Sequence, residues 1–252
     1  MIQTIGLKKS FGSFEALRGL DVEVPAGCVY GFLGPNGAGK TTTIRMLTGL
    51  LKPTSGRILV CGVDLGREPR RAKALMGYVP DRPELPGELS ARELLRLVAG
   101  LHGLDRQDAQ RATGLLEAFE LAPFADEAIG GFSHGMRQKL ALACALLPRP
   151  KVLILDEPMV GLDPQGSRQV KDLLRRLAAR GLTVFLSIHS LEIAETLCDR
   201  IAILADGALV SEGTPDELKV RFGEAGLERA FLRLTGAERG VADDLLFGDR
   251  RA

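Results

Sequence analysis

Gly34-Pro35-Asn36-Gly37-Ala38-Gly39-Lys40-Thr41 stands between an apolar stretch, Cys28 to Leu33, and a helical one, Thr42 to Leu47. Strand, glycine-rich turn and helix, in that order, let backbone N–H groups converge on an anion. The glycines allow the turn to curl into a nest, and the helix N-terminus adds the positive end of its dipole. From this loop Lys40 reaches toward terminal phosphates, and Thr41 offers a hydroxyl to magnesium. Gly34, Asn36, Gly37, Gly39, Lys40, Thr41 and Thr42 are therefore candidate phosphate-binding residues, and a nucleotide with Mg2+ is the expected ligand.

Further along the chain, Val152-Leu153-Ile154-Leu155-Asp156-Glu157 places four apolar strand residues before two adjacent carboxylates. Ligands of open α/β sheets bind at the C-terminal ends of such strands. Asp156 is placed to hold magnesium, directly or through water. Glu157, projecting the other way, is placed to orient and deprotonate an attacking water.

Around these two motifs, Cys28 to Leu33, Arg57 to Cys61, Val152 to Leu155 and Thr183 to Ile188 read as buried strands alternating with helical patterns, which predicts a parallel sheet. Ile2 to Lys8 and Leu20 to Val24 mix polar and apolar residues as half-exposed antiparallel strands do, and are expected to form a separate edge layer. From Asp81 to Pro148 the period changes to that of a helix, with a capping box at Ser90-Ala91-Arg92-Glu93, so an all-helical insert is expected there. Asp163-Pro164 and Thr214-Pro215 each set a capping side chain before a proline and mark two further helix starts. The tail is helical in pattern at Leu227 to Leu234 and polar beyond, with disorder expected from Gly248 to Ala252.

Composition narrows the function classes. The 252 residues carry 33 Lys and Arg against 32 Asp and Glu, a formal net charge of +1, and no basic patch points at nucleic acid. The four cysteines, Cys28, Cys61, Cys144 and Cys198, form no Cys-x-x-Cys pair, which argues against a zinc or dithiol centre and for a reducing compartment. Lys8 and Lys9 interrupt the N-terminus before any signal-peptide core, so secretion is not expected. The longest apolar run, Leu140 to Leu147, is too short to span a bilayer, and any membrane role must come through a partner.

Phe132-Ser133-His134-Gly135-Met136-Arg137-Gln138 separates this chain from other nucleotide-binding loops. It resembles the signature motif of the ABC ATPases, Leu-Ser-Gly-Gly-Gln in its usual form, and precedes the helical run Lys139 to Leu147 just upstream of Asp156. The resemblance covers the chain to about Lys219. It implies that Ser133 and Gly135 address the γ-phosphate of an ATP held by another protomer, although Ser133 is equally placed to cap its own helix. It also implies that Phe11 stacks on adenine, that Asp163 in Gly161-Leu162-Asp163 crosses the dimer interface or caps the next helix, and that His189 contacts the γ-phosphate and positions water. Glu157 and His189 are then the candidate catalytic pair.

Several positions depart from the family pattern. Gly77-Tyr78-Val79-Pro80-Asp81 ends in an aspartate where the family commonly has glutamine, so Asp81 is expected to join Thr41 and Asp156 at the metal and alter its dependence. His134 and Met136 replace glycine and glutamine while sparing Ser133 and Gly135. A Ser-x-Gly-Met-x-Gln signature, an acidic residue at position 81 and the Gly-Thr-Pro-x-Glu-Leu stretch from Gly213 to Leu218 are similar to the ATPase subunits of ABC-2-type exporters.

The expected fold is α/β, a P-loop NTPase of ABC ATPase type: a mixed or parallel sheet core with an antiparallel β layer and an α-helical subdomain. The expected division is an ATP-binding domain over 1–220, its core at 1–80 and 149–220 with the helical subdomain 81–148 inserted, and a helical extension over 221–252. The resemblance implies ATP and Mg2+ as ligands, a homodimer or a heterodimer with a homologous ATPase, and an integral membrane permease that holds the chain at the cytoplasmic face of the inner membrane. No nucleic-acid partner is expected. The alternative is a soluble ABC ATPase acting on ribosomes or DNA, although the second cassette, coiled-coil insert or zinc site usual in such proteins is not found.

Overall fold

The computed structural model describes residues 1–223, and its architecture follows from two sheets clasping one helix. Strands β1 (Ile2–Phe11) and β2 (Phe14–Val24) form an antiparallel hairpin, β3 (Val29–Leu33) leads into the glycine-rich loop, and α1 (Lys40–Leu47) leaves it. Then come β4 (Ser55–Val60), β5 (Val63–Asp64), α2 (Pro69–Lys73) and β6 (Met76–Val79). The stretch after Asp81 holds α3 (Ala91–Leu101), α4 (Arg106–Ala118), two short 3-10 turns and α5 (His134–Leu146). The chain then runs through β7 (Val152–Leu155), α6 (Pro164–Ala179), β8 (Thr183–Ile188), α7 (Leu191–Leu197), β9 (Arg200–Ala205), β10 (Ala208–Gly213) and α8 (Pro215–Phe222).

One sheet has four strands in the order β2-β1-β4-β5, all antiparallel. The other has six, β10-β9-β3-β8-β7-β6, parallel except for the edge strand β10. Successive side chains of the six-stranded sheet alternate between two cores, as the period of two requires. Tyr30, Phe32, Ile154, Phe185 and Leu204 face α1 and the four-stranded sheet, while Leu33, Leu155, Leu186 and Ile203 face α5, α6 and α7. Helix α1 is thus held between the sheets by Ile44, Met46 and Leu47, which fixes the loop preceding it.

The structure corrects one expected strand. Arg57 to Cys61 is not part of the parallel sheet: β4 pairs antiparallel with β1, buries only Ile58 and Val60, and ends before Cys61, which turns at φ 51°. Three strands that the sequence reading passed over, β6, β9 and β10, complete the six-stranded sheet. Helix α1 also starts at Lys40, two residues before the expected Thr42. The Ser90 and Thr214 capping boxes are both formed, and Asp163 accepts from Gly166 N–H at the start of α6. Among the described residues no helix is long and apolar enough to cross a membrane. The extension expected over 221–252, with its helical stretch Leu227 to Leu234, lies from residue 224 onward outside the described residues.

Candidate functional site

Parallel register brings the chemistry together. Leu155 pairs with Leu186 and with Val79, and Leu33 pairs with Ile188, so the chain segments leaving β3, β6, β7 and β8 emerge side by side. Those segments carry Gly34 to Lys40, Asp81, Asp156 with Glu157, and His189.

The loop is a cradle that admits no side chains at its tightest points. Gly37 and Gly39 hold φ of 83° and 103°, and a Cβ on Gly39 would stand 2.8 Å from the Ala16 carbonyl of β2. Lys40 is 5% exposed; its Nζ donates to the carbonyls of Gly34 at 2.6 Å and Pro35 at 3.1 Å and lies 3.8 Å from Glu157 Oε1. Burial lowers its pKa, opposed by the negative charges of Glu157 and Asp156. A buried cation with one carboxylate at that distance is suited to a terminal phosphate. Thr41 is exposed and Thr42 half-buried at the start of α1.

Asp156 is buried, and its desolvation pushes the carboxyl pKa up; the hydrogen bond from Ser187 opposes this, while the charges of Glu157 and Asp81 add to it. Asp81, half-buried just beyond β6, is therefore within electrostatic reach of Asp156. Glu157 takes a left-handed backbone at φ 46°, and its Oε2 lies 3.3 Å from His189 Nδ1. Among the described residues no three His, Cys, Asp or Glu side chains form a metal site by themselves. Asp156 and Asp81 offer oxygen donors of the kind a hard cation takes, and Thr41 would add a hydroxyl from the start of α1.

A second cluster lies apart. Ser133 caps α5, accepting from Met136 N–H at 3.3 Å, and remains exposed in a depression shared with Gly135, Gly161 and Asp163. None of the residues lining that depression comes from the glycine-rich loop. The chain thus brings together Lys40, Asp81, Asp156, Glu157 and His189, and keeps Ser133, Gly135 and Asp163 in a group of their own. Phe11 sits half-exposed at the hairpin end with Lys9 Nζ 4.9 Å from its ring centroid, on strands that reach the loop through Ala16.

Two side chains tie the second cluster to the segment after Glu157. His134 Nε2 lies 3.1 Å from the Val160 carbonyl, and the buried Gln138 donates to the Pro158 carbonyl at 3.4 Å. His134 is thus a contact as well as a departure from the family pattern. Gly161 makes room for it: φ is 74°, and a Cβ there would come within 2.9 Å of the imidazole. Gly161→Ala is expected to cost about 1–2 kcal/mol from the left-handed backbone alone. In chemical denaturation, the Gly161→Ala, His134→Ala double variant should recover the steric part of the loss and not this backbone part.

The family model described as ABC transporter matches residues 17–160. The daunorubicin resistance ATP-binding protein DrrA3 of Streptomyces coeruleorubidus is 45% identical over 219 residues, 86% of this chain and 69% of that protein. The Nod factor export ATP-binding protein I of Burkholderia lata is 42% identical over 213 residues, covering 84% of this chain and 70% of its own length. A solved dimeric bacterial ABC transporter cassette superposes with a TM-score of 0.78 at 25% identity, over 85% of this chain and 99% of that one. Motif order, sheet topology and these likenesses lead to one conclusion: the chain belongs to the ABC transporter family, among its ATP-hydrolysing subunits.

Proposed function

We propose that two copies of the chain sandwich two ATP molecules and drive export through a separate membrane permease. The observation that carries the sandwich is the exposed Ser133, which stands in a depression to which its own phosphate loop contributes nothing. A serine hydroxyl at a helix N-terminus is suited to a phosphate, and a second copy would bring one to it. The solved cassette that resembles this chain is dimeric. Export is supported by the relative named for Nod factor export.

In this reading the backbone from Gly34 through Asn36, Gly37 and Gly39 to Thr42 cradles the phosphates and Lys40 neutralises them, while Phe11 stacks on adenine. Thr41, Asp156 and Asp81 would hold Mg2+, which when bound would offset phosphate charge. Glu157 takes the proton of the attacking water, and His189, 3.3 Å from it, orients that water and the γ-phosphate. Ser133, Gly135 and Asp163 of the second copy close the site. Binding of the γ-phosphate favours the closed dimer and its loss favours the open one, a shift driven by differential affinity. The helices between Asp81 and Pro148 pass the motion to the permease, which sets the cargo and holds the chain at the cytoplasmic face of the membrane. A heterodimer with a homologous ATPase would be built the same way.

Asp81 supplies a specific test of the metal set. Asp81→Gln removes a charge beside Asp156 and is expected to raise the Mg2+ concentration for half-maximal ATPase by about 10-fold. An unchanged magnesium titration would contradict a role for Asp81 at the metal.

The transport reading is tested by mild-detergent affinity purification of the tagged chain from its native membranes. A multi-spanning protein in stable proportion is the expected companion. Recovery of ribosomes or DNA-bound proteins with an active ATPase, and no membrane protein, would favour the soluble alternative.

A further inference from the structure

Strand β8 contains a hydroxyl that the scheme above leaves without a task. Ser187 is 1% exposed, between the buried Leu186 and Ile188. A hydroxyl taken from water into such surroundings must find partners or destabilise the fold. Both of its partners belong to the adjacent carboxylate residues. Ser187 Oγ donates to Asp156 Oδ1 at 2.6 Å and accepts from Glu157 N–H at 2.8 Å. The polarity is set by chemistry: an ionised carboxylate only accepts, so the serine proton points to Asp156 and its lone pair is left for the amide.

The backbone explains why the second bond matters. Glu157 lies at φ 46°, a region that side-chain-bearing residues rarely adopt and that persists where surroundings hold it. In that conformation the carboxylate stands between Lys40 Nζ at 3.8 Å and His189 Nδ1 at 3.3 Å. Pairing of Leu155 with Leu186 sets Ser187 opposite the Asp156–Glu157 turn, so the hydroxyl spans it without distorting either strand.

We propose that Ser187 is a positioning residue for hydrolysis: one hydroxyl orients the carboxylate of Asp156 and holds the left-handed turn that aims Glu157 at the reacting water. This rests on the reading of Glu157 as the base and Asp156 as a metal ligand. Ser187 acts through the two neighbours that its hydroxyl binds.

The test compares Ser187→Ala and Ser187→Thr with the unaltered chain and with Glu157→Gln, each checked for folding by thermal melting. In Ser187→Ala, kcat is expected to fall about 10- to 100-fold, with the KM for ATP within about 2-fold of the unaltered value. Binding of Mn2+ in the presence of ADP, read by electron paramagnetic resonance, should weaken in parallel. Ser187→Thr, which keeps the hydroxyl, should recover most of both. A folded Ser187→Ala with unaltered kcat and Mn2+ binding, beside an inactive Glu157→Gln, would overturn the proposal and leave the Glu157 reading standing. So would a kcat loss that only follows the folded fraction. Full turnover by Glu157→Gln would overturn the Glu157 reading itself.

Discussion

Glu157→Gln is expected to lower ATP turnover by about 100- to 10,000-fold while leaving ATP bound. The amide keeps the shape of the side chain, and so its place between Lys40 and His189, but it cannot accept a proton from water. Lys40 and the glycine-rich loop are untouched, so affinity for ATP persists and the γ-phosphate is not removed. With hydrolysis blocked, the closed state accumulates. Light scattering after gel filtration should show a dimer with ATP and a monomer without it. A variant that stays monomeric at saturating ATP would count against the sandwich.

Lys40→Ala should fail one step earlier. The ammonium group is buried and held by two loop carbonyls beside Glu157, and the stretch from Gly34 to Thr41 has no second Lys or Arg to take its place. Loss of its charge-assisted bonds to phosphate is expected to weaken ATP binding by about 100-fold, or ~3 kcal/mol. Lys40→Arg should rescue little, because the planar guanidinium does not fit a space shaped for a compact ammonium. Titration of a fluorescent nucleotide checks both variants. Wild-type affinity in Lys40→Ala would mean that the loop does not hold the phosphates.

The phosphate loop was legible because its glycines, its lysine and its strand and helix neighbours all point to one backbone shape. Strand β4 was misplaced because Ile58, Leu59 and Val60 form an apolar run whether one face is buried or two, and only pairing with β1 tells the difference. Strand β6, four residues with Gly77 among them, is too short to show a period. The order Lys40, Asp81, Asp156, Glu157, His189 can be read along the chain, yet their meeting depends on the spatial order β3-β8-β7-β6, which no local pattern contains. Ser187 escaped notice for a similar reason. Its one signal is a hydroxyl inside the apolar run Val184 to Ile188, and its two partners become visible only when β8 lies beside β7. The contact of His134 with Val160 likewise depends on how α5 meets the segment after Glu157.

The most direct measurement mixes two inactive variants, Lys40→Ala and Ser133→Arg, and follows ATP hydrolysis. Each homodimer has both sites broken. In a mixed sandwich, one site combines the intact loop of one copy with the intact Ser133 of the other, and the second site carries both defects. Equal mixing of freely exchanging copies should therefore restore about a quarter of the unaltered activity if the two sites act independently. No recovery, with mixed dimers shown to form, would contradict a site shared between two copies.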